Sequence, residues 1–197
     1  MATATSVQHL TATMPSPTVK KVKLLTLEQF WDKYSDREDG FKYELNKGIV
    51  EKTPRKMKIE ELYIADNIKR AFTRTEAYQQ GDGIFEEVDI QTLNEQGRRP
   101  DMAYLTREQF RKGDNRGLPT FVVEVISDTD GINRVNNKLE EYFQAGMLVV
   151  WHILPQQQLI YVYTSSIDVK ICRGDMMCSA APAVVDFQMS AYDIFKK

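Results

Sequence analysis

FVVEVISDTD, residues 121–130, sets one carboxylate, Glu124, inside an otherwise apolar run. A short apolar stretch closed by polar residues predicts a buried β-strand. An unpartnered carboxylate buried in such a strand costs several kcal/mol or gives up its charge. Glu124 therefore predicts something nearby that makes its burial worthwhile, and the rest of the chain is read outward from it.

Upstream, RPDMAYL (99–105) and IFEEVDIQTL (84–93) read as strands, with the polar loop TREQFRKGDNRGLP before the Glu124 run. Downstream, RVNNKLEEYFQAG reads as an amphipathic helix closed by Gly146. LVVWHIL and LIYVYTS then form a hairpin around Pro155–Gln158, followed by a strand near 167–172 and a short segment SAYDIF. Nearer the N-terminus, Thr26 caps a helix TLEQFWDKY, and FKYELNKGIVEKTP is a hairpin turning at Asn46-Lys47-Gly48. Helical spacing of Ile59, Leu62, Ala65, Ile68 and Phe72 runs from about Met57 to Tyr78. This order predicts a mixed α/β (α+β) domain with one central sheet. Residues 1–22, rich in Thr, Ser, Ala and Pro, predict a flexible tail ahead of a single domain, 23–197.

The totals exclude some classes. A net charge of −2 on 197 residues gives no global basic field of the kind that coats nucleic acid. No apolar run approaches the roughly 18 residues of a membrane span, and the N-terminus lacks the apolar core of a secretory signal. Cys172, Cys178, His9 and His152 are too scattered for a zinc site. A reduced, cytoplasmic setting follows as the default.

Alternation places Glu124 on one face with Val122 and Ile126. Asp101 shares its face with Arg99, Ala103 and Leu105, and adjacent strands would bring Asp101 beside Glu124. Two close carboxylates share a proton or bind a cation, and Mg²⁺ is held by one or two carboxylates plus phosphate oxygens. Lys138 lies about 60° from the Val135 direction on its helix, so its stem can run toward the same acids. The plain alternatives are turn chemistry for Asp101 and an ordinary surface position for Lys138.

Together, R-P-D-x-x-Y-L (Arg99–Leu105), V-V-E-V-I-S (Val122–Ser127), Lys138 with Tyr142 four residues on, and G-x-x-x-x-W-x-I (Gly146–Ile153) resemble the putative restriction endonuclease family. That group lies within the PD-(D/E)XK nuclease superfamily. The hairpin Y-E-L-x-x-G (Tyr43–Gly48) adds to the likeness, which spans about residues 25–195. The resemblance implies a restriction-endonuclease-like αβββαβ core, its central mixed sheet flanked by helices, and metal-dependent hydrolysis of DNA phosphodiesters. It implies Asp101 and Glu124 as ligands of Mg²⁺ (or Mn²⁺), the Val125 carbonyl as an added ligand, and Glu44 as a further acid. The superfamily lysine two residues after the second acid is replaced here by Ile126, and Lys138 is the matching position on the following helix. Asp128 and Leu154 depart from a proline and an aspartate common in the family.

The alternative is a catalytically inactive nucleic-acid-binding module on the same fold, favoured by Ile126 and the mild acidity. Arg55, Lys56, Lys58 and Arg99, with Tyr142, are the candidate nucleic-acid contacts, against the reading that the basic clusters are solvated surface. A third class, an interaction protein unrelated to nucleic acids, requires Glu124 to be satisfied by protein donors alone. The aromatic surface of LVVWHIL and LIYVYTS would support a homodimer, unless those residues are ordinary core.

Overall fold

The computed structural model describes residues 23–55, 58–111, 117–128 and 130–197. The expected tail, 1–22, and Lys56 lie outside the described residues. Helix α1 (Leu27–Tyr34) opens on a capping box in which Thr26 and Gln29 bond each other's backbone N–H groups. Strands β1 (Phe41–Asn46) and β2 (Ile49–Pro54) form the expected hairpin. Its two-residue turn places both Lys47 (φ 50°) and Gly48 (φ 78°) in the left-handed region, as a type I′ turn demands.

The single long helix expected up to Tyr78 divides into α2 (Ile59–Phe72) and α3 (Glu76–Gln79). Thr75 causes the break: its hydroxyl donates to the Phe72 carbonyl at 2.8 Å and accepts from Tyr78 N at 3.1 Å, capping a new helix. The next two expected strands change as well. The run 84–93 becomes β3 (Gly83–Glu86) and β4 (Ile90–Gln91), the run 99–105 shortens to β6 (Met102–Leu105), and β5 (Gly97–Arg98) forms between them. Glu87, at φ 50°, ends β3, and Pro100, which has no N–H to donate, separates β5 from β6. Part of the expected polar loop is a short helix, α4 (Arg107–Arg111). Strand β7 (Phe121–Val125), helix α5 (Ile132–Ala145), β8 (Val149–Leu154), β9 (Leu159–Tyr163) and β10 (Val169–Cys172) follow. A small ribbon of β11 (Met177–Ser179) and β12 (Gln188–Ser190) and helix α6 (Ala191–Phe195) complete the chain.

The main sheet has the order β10-β9-β8-β7-β6-β3, parallel between β7 and β8 and antiparallel elsewhere. Helix α5 makes the β7–β8 crossover and ends at Gly146, whose φ of 108° only glycine adopts readily. A second sheet, β2-β1-β5-β4, stands beside it. Alternation along β7 feeds two cores. Phe121 and Val123 pack with Ile64, Ile68 and Phe72 of α2, and with Trp151; Val122 packs with Leu139 and Tyr142 of α5. Both faces of β7 are thus covered, so the apolar run had no exposed side to mark with polar residues.

The hairpin β8–β9 lies inside the sheet, β8 between β7 and β9, and β9 between β8 and β10. Val149, Val150, Trp151, Ile153, Ile160 and Val162 are buried core. Leu159, Tyr161 and Tyr163 are half-buried and Leu148 is 41 % exposed, so part of this hairpin's apolar surface still faces outward.

Candidate active site

The chain crosses from the smaller sheet to the main one between β5 and β6, and Asp101 sits at that crossing. Pairing of Met102 with Val123 carries Asp101 alongside Glu124 at the ends of two adjacent strands. The Asp101 carboxylate is fixed from two sides: Oδ2 accepts from Val125 N at 2.7 Å, and Oδ1 from Lys42 Nζ at 2.7 Å. Lys42 comes from β1, where it shares a face with Glu44, while Tyr43 and Leu45 turn the other way into the core under α1.

Helix α5 supplies the other side. Lys138 Nζ lies 2.8 Å from Glu124 Oε1 and 2.7 Å from Glu44 Oε1. Tyr142, one turn on, donates to Glu124 Oε1 at 2.5 Å. Arg134, one turn back, reaches Glu44 Oε2 at 3.1 Å, and Arg99 N donates to Glu44 Oε1 at 3.0 Å. Asp101, Glu124, Lys138 and Glu44 are thus brought together, with Glu44 (1 % exposed) lying behind Lys138 and Glu124 bordering the cleft.

The cleft encloses about 660 Å³. Six carboxylates (Glu61, Glu86, Glu87, Asp101, Glu124, Asp130) and five cations (Lys42, Arg55, Lys58, Arg134, Lys138) line it. Burial pushes the Glu124 carboxyl up; Lys138 pulls it back, Asp101 adds to the push, and the net shift is upward. Burial would also raise Glu44, but Lys138, Lys42 and Arg98 hold its carboxyl well below the usual carboxylate range. Burial would lower the Lys42 ammonium, yet Asp101, Glu124 and Glu44 outweigh it and keep it above the ordinary lysine range. His152, opposite Glu124 on β8, is driven down to about 4 by burial, with Lys138 adding to the effect, and is neutral at neutral pH.

Among the described residues no group of three His, Cys, Asp or Glu side chains converges as a metal site. Glu44 in particular spends its oxygens on Lys138, Arg134 and Arg99 N, so a three-carboxylate cage does not form. Asp101 and Glu124 do fit a hard divalent ion of the Mg²⁺ type, which needs one or two carboxylates and keeps waters. The donors on Glu124 among the described residues both fall on Oε1, leaving Oε2 without a protein partner. Glu124 lines the cleft, so Oε2 is open to water or to a cation there.

The expected nucleic-acid contacts separate into two groups. Arg55 and Lys58 are exposed at the cleft, Arg55 paired with Glu87. Arg99 and Tyr142 need correction. Arg99, 5 % exposed, spends its guanidinium on Asp89 at 2.8 Å and the Ser35 carbonyl at 2.9 Å, tying the crossing to α1. Tyr142, fully buried, packs beneath Glu124 and presents no edge to a ligand. Both are polar groups that the fold itself consumes.

Lys42, Arg134 and Glu141 were not singled out from the sequence, His152 was weighed only as a zinc ligand, and Arg98, adjoining Arg99 as a possible phosphate contact, is instead buried against Glu141. Arg98 bonds Glu141 at 2.5 Å and Glu51 at 3.2 Å, tying α5 to β5 and β2 of the smaller sheet. The signal for Lys42 was available, since K-Y-E puts it on the Glu44 face. For Arg98 only the neighbouring Pro-Asp hinted at burial.

The match to the family model Uma2, described as putative restriction endonuclease, runs over residues 27–191. Among solved structures, a crystal structure titled as a putative nuclease belonging to DUF820 from Anabaena variabilis is similar. It has a TM-score of 0.72 at 16 % identity, covering 87 % of this chain and 97 % of that one. At that identity the likeness speaks for the fold. No curated protein matches. With the αβββαβ order of α2, β3, β6, β7, α5 and β8 in place, and the match spanning most of its length, this chain belongs to the Uma2 family of putative restriction endonucleases.

Proposed function

We propose that the chain is a metal-dependent endonuclease that hydrolyses DNA phosphodiester bonds, with Asp101 and Glu124 holding Mg²⁺ or Mn²⁺ and the Val125 carbonyl as an added ligand. One observation carries the reading: two carboxylates from adjacent strands border one cleft, with the Lys138 ammonium 2.8 Å from the second. When bound, the cation supplies charge neutralisation at the phosphate and a bound water of lowered pKa. Lys138, held between Glu44 and Glu124, is positioned to orient that water and to offset charge developing on the phosphate. Tyr142 and Glu44 keep the ammonium and the carboxylate in register rather than touching substrate. Arg55 and Lys58 offer phosphate contacts at the rim, and Lys56 belongs to the same segment.

The same reading takes residues 23–197 as one catalytic domain preceded by a tail, acting in the cytoplasm, with two copies suited to a double-strand cut. The test is plasmid cleavage in Mg²⁺ and in Mn²⁺ by wild type, Asp101→Asn and Glu124→Gln. Wild type should nick or linearise DNA, and both variants should fall to background while unfolding at near-normal denaturant concentration. A wild-type protein that binds DNA but neither cuts it nor takes up metal refutes this and supports the inactive binding module.

A further inference from the structure

Lys42 is the one cation in the cleft whose hydrogen bond goes to a proposed metal ligand and nowhere else among the described residues. Its ammonium holds Asp101 Oδ1 at 2.7 Å, while Asp101 Oδ2 is committed to Val125 N. A cation taking Oδ1 must share that oxygen with the Lys42 ammonium or displace it. Lys138 stands differently. It is shared between Glu44 and Glu124, and Glu124 keeps Oε2 for a ligand, so cation binding need not dislodge it. The Lys42 side chain is only 14 % exposed, yet it borders the cleft on a strand that packs beside the crossing.

From this geometry we infer that Lys42 competes with the divalent cation for Asp101 Oδ1, setting metal affinity, and that once displaced it becomes a contact for the substrate phosphate. The inference rests on the nuclease reading above and adds a residue to it. Two consequences follow from charge alone. A lysine beside a cation site repels the cation and occupies its ligand, so Lys42 weakens metal binding. The displaced ammonium, close to the phosphate drawn in by the metal, strengthens DNA binding by about one phosphate contact. A lysine present only to fill the fold would do neither.

The experiment is calorimetric titration of the full chain with Mn²⁺, in wild type, Lys42→Met and Lys42→Arg. A filter-binding measurement with DNA across a salt series accompanies it. Lys42→Met should bind Mn²⁺ about tenfold more tightly, and its log–log salt slope for DNA should drop by about one. Lys42→Arg retains the charge and should bind Mn²⁺ no more tightly than wild type. If Lys42→Met does not fold, Lys42→Arg decides: Mn²⁺ affinity above wild type overturns the inference, and affinity at or below it supports it. Wild type that binds Mn²⁺ while Lys42→Met binds it equally or more weakly overturns this inference alone. Wild type that takes up no Mn²⁺ overturns the metal site of the nuclease reading and this inference with it.

Discussion

Replacing Lys138 by Met removes the ammonium that bridges Glu44 Oε1 at 2.7 Å and Glu124 Oε1 at 2.8 Å. The methionine keeps most of the stem volume, so the effect is electrostatic. Glu44 retains Arg134 and the Arg99 N–H, but Glu124, 6 % exposed, is left with the Tyr142 hydroxyl. Breaking a buried ion pair by deleting one partner costs about 3–5 kcal/mol. Part of that cost depends on pH. Lys138 is the largest influence lowering the Glu124 carboxyl, which already titrates above its ordinary value because of burial. Without Lys138 it rises further. A carboxyl whose folded value exceeds its unfolded one costs stability as pH climbs from the unfolded value, near 4.5, through the raised folded value. Lys138→Met should therefore lose about 4 kcal/mol at pH 8 and less at pH 5, closer to the raised Glu124 value, because protonation removes the uncompensated charge. Urea unfolding at both pH values reads this directly. Adding Glu124→Gln should recover stability at pH 8, because the uncompensated charge is gone. A loss under about 1 kcal/mol that is equal at both pH values would show Lys138 to be an ordinary solvated lysine and would refute its bridging role.

Acid stability offers a second check, through His152. Its folded value of about 4 lies below the unfolded 6.5, so the neutral ring's contribution is complete above pH 6.5 and lost as pH falls toward 4. The total is about 3 kcal/mol. Glu124 pulls the other way as pH approaches 4.5, so the comparison is His152→Gln against wild type at each pH, and the variant should show the shallower acid slope. Ile126 borders the cleft, two residues after Glu124, where the resemblance leads one to expect a lysine. Ile126→Lys should return measurable Mn²⁺-dependent cleavage to a Lys138→Met protein; if cleavage never returns although the double variant folds, the two positions are not interchangeable.

How much of this was legible follows the range of the interactions. The Thr26 capping box, the Lys47-Gly48 turn and the Gly146 helix end depend on residues within a few positions, and each stands where the sequence put it. The crossing at Pro100, by contrast, joins two sheets whose pairing partners lie far apart in the chain, so RPDMAYL looked like one strand when only Met102–Leu105 pairs in β6 and residues 99–101 form the crossing from β5. Arg99 shows the same limit: an arginine before Pro-Asp looks free to meet phosphate until Asp89 and α1 close over it.

Sequence alone determined the α/β class and the buried β7, and strand and helix periodicity pointed Asp101, Glu124 and Lys138 toward one another, while Glu44 joined them only through the family resemblance. Only the tertiary structure decided how those four are wired. It placed Lys138 between two acids rather than against one, assigned Asp101 to Lys42 across 59 positions of chain, and turned Tyr142 inward beneath Glu124. Periodicity specifies a direction from the backbone; distance and partner are set only when separate elements pack, and a charge in a buried cleft takes its role from its partner.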